Sequence, residues 1–162
     1  MIDALAAKRS LVTICRVIVA AIFIYAPLNK IADPPGFAKL IFEYHLLPAE
    51  LVNAWAVYLP WLELVAGVGL LIGPLARGGA VLVAALLVVF LAAIGINLAR
   101  QIPFECGCGG THALAIPLLS PVMEFVLSSP TPWVTFVRDV VLLAMTWLIW
   151  RAPVGGAAAA DR

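Results

Sequence analysis

Cys106-Gly107-Cys108 places two thiols one residue apart, with Gly109 and Gly110 directly after them. Thiolates attack disulfides, bind soft metals and pass electrons in pairs, and glycine lets the backbone turn tightly enough to bring two sulfurs together. A disulfide across a single intervening residue closes a very small ring. Such a bond is expected to be strained and more oxidising than a relaxed one. That suits a redox-active pair better than a staple, because a staple gains most by closing a long loop. His112, four residues on, makes Cys-x-Cys-x3-His, three ligands of the kind copper(I) or an incomplete zinc site takes. Three readings stand side by side: redox pair, metal site with Cys106, Cys108 and His112, or thiols that only order the loop. Redox leads, since no fourth metal ligand is evident and His45 and His112 are by default polar surface residues. Cys15, the third cysteine, reads as a small apolar side chain with no role.

Charges inside apolar runs are the next candidates, because each is expensive in hydrocarbon. Arg16 falls ~9 Å and Glu63 ~15 Å in from the same side of the membrane at 1.5 Å per residue. An Arg16–Glu63 ion pair joining the first two crossings is therefore expected. Near the opposite side, Lys30, Asn97, Arg138 and Asp139 form a shallow polar layer beneath the cysteine loop. A cation such as Lys30, Arg100 or Arg138 would favour a thiolate, and Asp139 could accept or deliver a proton. Ordinary interface anchoring by long basic side chains is the alternative for these residues.

The elements that position these groups follow from composition. Of 162 residues, 64% are hydrophobic and 12% charged, about half the charge of a soluble domain. The chain is expected to be an all-α integral membrane protein lying in the lipid bilayer as a four-helix bundle. A net charge of +1 without a basic stretch excludes nucleic acid as a partner. After a polar start, Met1 to Ser10, the crossings are Leu11–Leu28, Leu51–Ile72, Gly79–Leu98 and Trp133–Trp150. The first is read as a retained helix, since no cleavage site leads into a soluble domain.

Asp33-Pro34-Pro35-Gly36 breaks the first crossing. Phe37, Leu40, Ile41 and Tyr44 then recur at helical spacing, predicting an amphipathic surface helix that ends near Pro48. Gly67 and Gly69, and Gly78 with Gly79, are placed for close helix packing. Thr111 to Pro132, cut by four prolines, predicts an interfacial or re-entrant segment. Residues 1–152 read as one domain, and 153–162 as a small-residue, disordered tail. Lys8, Arg9, Arg77, Arg151 and Arg162 outnumber Lys30, Lys39 and Arg100, which puts both termini in the cytoplasm. The cysteine loop then faces the periplasm, the oxidising side of a bacterial inner membrane.

Taken together, these residues resemble the MauE branch of the DoxX-like membrane proteins. The resemblance runs through Arg16, Ala26 to Lys30, Asp33-Pro34…Phe37, Tyr44…Leu47-Pro48 and Pro60-Trp61-Leu62-Glu63. It continues through Gly67, Leu70 to Gly73, Phe90, Asn97-Leu98, Cys106-Gly107-Cys108 with Gly110, and Arg138-Asp139. Gly109 stands where the family usually has phenylalanine. The resemblance implies an inner-membrane protein that works beside a thioredoxin-like periplasmic partner. In methylamine utilisation it would help mature the disulfide-rich small subunit of methylamine dehydrogenase. By analogy with DsbB-like bundles, a membrane quinone is a candidate electron partner. A DsbB-like relay has a second cysteine pair, which this chain lacks, so the quinone or a partner has to supply the next step. A non-catalytic membrane anchor for a periplasmic partner is the other function class, and a copper-binding membrane protein the third.

Overall fold

The computed structural model describes residues 2–100 and 132–152, with side chains described from residue 9 onward. Five α-helices and one 3-10 turn make up the described residues: α1 (Ile2–Ala32), α2 (Pro34–Glu43), α3 (Ala49–Leu71), the turn Gly73–Leu75, α4 (Ala76–Ala99) and α5 (Pro132–Arg151). Four of these are long and apolar enough to cross a bilayer, over Arg9–Ala32, Ala49–Leu71, Gly73–Ala99 and Pro132–Arg151. The chain is a multi-pass membrane protein. The four crossings pack in a ring: α1 against α3, α3 against α4, α4 against α5, and α5 back against α1, while α2 lies on α3.

The helices are apolar around nearly their whole circumference, as expected where the outer face meets lipid rather than water. Tyr58, Val65, Val89 and Trp133 point outward, whereas Val19, Ala66, Leu70, Ala80 and Val83 are fully enclosed. Small residues set the spacing between crossings. A methyl group on Gly67 would lie 3.0 Å from the backbone of Phe23, and one on Gly79 would lie 2.7 Å from the Leu70 nitrogen. Close backbone approach of this kind is how membrane helices gain van der Waals contact without a hydrophobic driving force. Gly78 plays no such part, because nothing lies within 4 Å of the position its β-carbon would take.

The expected boundaries hold for the crossings to within a few residues, with one exception. The polar start is not a separate segment: α1 begins at Ile2, since no glycine or proline interrupts the strong helix formers ahead of Leu11. Its end is the expected one. Asp33 caps α2, accepting a hydrogen bond from the Gly36 N–H at 3.1 Å, and Pro34 and Pro35 occupy the first helical positions, where no N–H is needed. Helix α2 turns Phe37 fully inward and leaves Lys39 exposed. It stops at Tyr44 rather than near Pro48. His45 ends it in the left-handed region, at φ 50°, where a non-glycine residue is uncommon. The segment 111–131, the cysteine loop and the tail 153–162 lie outside the described residues.

A buried charge cluster as candidate functional site

The cluster draws on all four crossings. Lys30 sits in the last turn of α1, Glu63 near the middle of α3, Phe90 on α4, and Arg138 with Asp139 on α5. The Lys30 ammonium donates to both carboxylate oxygens of Glu63, at 2.8 and 2.9 Å. The two side chains are only 6% and 3% exposed. Such a pair holds in a low-dielectric interior only if its remaining polar groups are also provided for. Here the ammonium also lies over two aromatic faces, 5.0 Å from the Phe37 ring centre and 5.5 Å from that of Phe90, where the ring quadrupoles attract a cation.

A second pair closes the other side. Arg138 donates through Nε and a terminal nitrogen to one oxygen, Oδ1, of its neighbour Asp139, at 2.9 and 2.7 Å. Asp139 is buried and the Arg138 side chain nearly so, at 14% exposure. Between the pairs lies a cavity of about 40 Å³. Lys30, Glu63, Arg138 and Asp139 line it together with Ile22, Phe23, Ala26, Leu87, Phe90 and Leu142. Two cations and two anions thus line one small, half-open pocket in the bundle, together with apolar side chains.

The structure corrects one expected pairing. Arg16 does not meet Glu63. Its guanidinium donates to the backbone carbonyl of Leu70 and, at 2.6 Å, to that of Leu71. The antiparallel register explains this, since Gly67 meets α1 at Phe23 and Ile24. That places Arg16 beside the C-terminal end of α3, at the Leu70 and Leu71 carbonyls, seven to eight residues or roughly 11–12 Å past Glu63 at 1.5 Å per residue. Lys30 falls about one turn from Glu63 and takes it instead.

Of the expected polar layer, Lys30, Arg138 and Asp139 do come together at the cavity. Asn97 is fully buried on α4 but does not line it. Neither its side-chain oxygen nor its nitrogen has a partner among the described residues. Sequence reasoning missed Phe37 and Phe90 as cation-facing rings, and Asn29 and Thr135, which do not line the cavity, as buried polar groups whose side-chain oxygens are likewise unpartnered among the described residues. Thr135 carried a usable signal, being four residues before Asp139 and hence on the same helical face.

Cys106, Cys108 and His112 lie outside the described residues. Cys15 is buried in the apolar core, as expected of a small apolar side chain. Among the described residues no group of three His, Cys, Asp or Glu is placed to hold a metal ion.

The model of the family described as "Methylamine utilisation protein MauE" matches residues 8–152. The chain belongs to the MauE family. It is 32% identical over 135 residues to the methylamine utilization protein MauE of Paracoccus denitrificans, a match covering 83% of this chain and 65% of that protein. It is 36% identical over 91 residues to the protein of the same name from Methylophilus methylotrophus, covering 56% of this chain and 48% of the relative. For the Methylorubrum extorquens protein of that name the figures are 33% over 109 residues, 67% and 59%. The matched stretches thus span about two thirds of the relatives' length or less. No solved structure matches. Membership in the MauE family, read above as a resemblance, is shown. The family match runs through Lys30, Glu63, Phe90, Arg138 and Asp139, so the charge cluster lies wholly within the MauE region.

Proposed function

We propose that this MauE-family chain is a membrane thiol–disulfide redox protein of methylamine utilisation, with Cys106 and Cys108 as its reactive pair. The observation that carries the reading is the Cys106-Gly107-Cys108 sequence in the stretch that joins two crossings of a MauE-family bundle. Support for the pathway comes from the relatives, which are named as methylamine utilization proteins. In the exchange, a thiolate attacks a disulfide sulfur, forming a mixed disulfide and releasing the other sulfur as a thiolate. A second thiolate then resolves the mixed bond, so one dithiol becomes a disulfide as the other disulfide becomes a dithiol. Two electrons and two protons change hands.

The partner on this reading is a thioredoxin-like periplasmic protein, through which disulfides reach a periplasmic enzyme of the methylamine dehydrogenase type. The loop faces the periplasm of a bacterial inner membrane, with both termini cytoplasmic. Cys15 is buried in the core, so the chain brings no second pair to continue the relay. A membrane quinone, accepting two electrons and two protons to become the quinol, is the acceptor this proposal names.

Trapping tests the reading. In membranes from cells grown on methylamine, Cys106→Ser or Cys108→Ser should leave one cysteine joined to a partner by a reducible bond. Mass spectrometry should find a Cys-x-x-Cys protein in that adduct. If neither variant yields one, and both variants support growth on methylamine as the parent does, the redox reading is overturned.

A further inference from the structure

The chamber between the two ion pairs has features that a static clamp does not need. Buried ion pairs are weak devices for stability, since well-packed apolar side chains of similar volume often do as well or better. Within a membrane, ionisable side chains facing an internal cavity are the usual markers of ion and proton pathways. A clamp would be packed shut, whereas here a cavity of about 40 Å³ touches all four charged residues. A water needs roughly 10–15 Å³ of cavity and two or more polar partners. Both requirements are met.

The hydrogen-bonding capacity of the walls is only part used. A carboxylate offers about four acceptor positions. Glu63 receives one bond on each oxygen, both from Lys30. Asp139 receives its two bonds on Oδ1, both from Arg138. Lys30 has three N–H groups and spends two on Glu63. The titratable and charged groups that face the chamber are Lys30 from α1, Glu63 from α3, and Arg138 with Asp139 from α5; α4 contributes only Leu87 and Phe90.

Unpartnered polar atoms continue away from the chamber toward one end of the bundle. On α5, Thr135 lies one turn before Asp139, fully buried, and its hydroxyl oxygen has no partner among the described residues. On α4, Asn97 lies two turns beyond Phe90 on the same face, with both its side-chain polar atoms unpartnered. Beside Lys30, the Asn29 side-chain oxygen is in the same state. Buried polar groups left without protein partners are normally met by ordered water.

We propose that this chamber is a hydrated proton-exchange site: water held by Lys30 lets Glu63 and Asp139 take up and hand on a proton. The polar atoms of Thr135, Asn97 and Asn29 mark its connection toward the ends of α1 and α4. The ligand is water and its proton, and the site does not depend on the cysteine pair.

Infrared difference spectroscopy of the purified protein in lipid nanodiscs, stepped in pH in H₂O and D₂O, tests this. The Cys106→Ser/Cys108→Ser protein is used throughout, so the outcome is separate from that of the redox reading. A buried carboxylic-acid C=O band should appear as pH falls, shift on deuteration, and be lost or displaced in Glu63→Gln or Asp139→Asn. Absence of a titrating, deuterium-sensitive band overturns the proposal, and so does a band unchanged in both variants. Ala26→Val keeps every charge and fills part of the chamber. It should slow deuteration of the band several-fold, and an unchanged rate counts against a water-filled site even if the charge variants do not fold.

Discussion

Arg16 and Lys30 are both cations on α1, a little under four turns apart, and the bundle satisfies them in opposite ways. Arg16 is half-buried and uses its planar fork on two backbone carbonyls, those of Leu70 and Leu71. These belong to the last turn of α3, where carbonyls lack helical partners and the helix dipole is negative. Lys30 is enclosed, its ammonium held on both oxygens of Glu63 and under two rings. The difference teaches that a cation at the rim of the bundle can be satisfied by partial charges. One enclosed among crossings requires a formal countercharge, because a lone ion is too costly to desolvate.

The most severe way to break the contrast is Glu63→Ala, which strands an enclosed ammonium. It should lower stability by about 3–5 kcal/mol, read as thermal unfolding in detergent. The double change Lys30→Met with Glu63→Leu should recover most of that loss. If the single variant melts like the parent, Lys30 is not dependent on its countercharge and the contrast collapses.

A smaller effect is expected where α4 crosses the end of α3 that receives Arg16. Gly79→Ala would place a methyl 2.7 Å from the Leu70 nitrogen and 2.8 Å from the Gly69 carbonyl carbon, a backbone clash costing about 1–3 kcal/mol. Gly78→Ala meets open space and should be neutral or slightly stabilising on helix propensity alone. Equal melting temperatures for the two would refute the close α3–α4 approach.

The smallest change is expected at the rim. Arg16→Gln loses the charged fork but keeps an amide that can donate to the same carbonyls, for about 1 kcal/mol. A loss as large as that of Glu63→Ala would mean that Arg16 is as dependent on its partners as Lys30.

Much of this was legible in the residues themselves. Long apolar runs broken by Asp33-Pro34-Pro35-Gly36 and Gly73-Pro74 mark the crossings and the short helix, because proline and glycine end helices by local sterics. The face of α2 could be read from the spacing of Phe37 and Ile41, and the glycines at 67, 69 and 79 could be read as packing positions. Lys30, Glu63, Arg138 and Asp139 were each identifiable as unusual, since a charge in an apolar run is conspicuous without any structure.

Which of them pair was not legible. Depth counted along a helix assumes that crossings begin level, and it made Arg16 and Glu63 neighbours. The register of α1 on α3 depends on where Gly67 lets two backbones touch, and that contact joins positions more than forty residues apart. The ring of α1, α3, α4 and α5 likewise decides that Asp139 and Glu63 share a chamber rather than facing separate neighbours.

For Cys106-Gly107-Cys108 the sequence by itself determined the chemistry on offer, because the spacing of two thiols is covalent and needs no fold. The number of crossings and the presence of intramembrane charge were determined in the same way, by hydropathy along the chain. Only the tertiary structure decided that Lys30 rather than Arg16 neutralises Glu63, and that two ion pairs line one cavity. Both depend on the rotation and axial register of whole helices, set by close packing of small residues summed over the bundle.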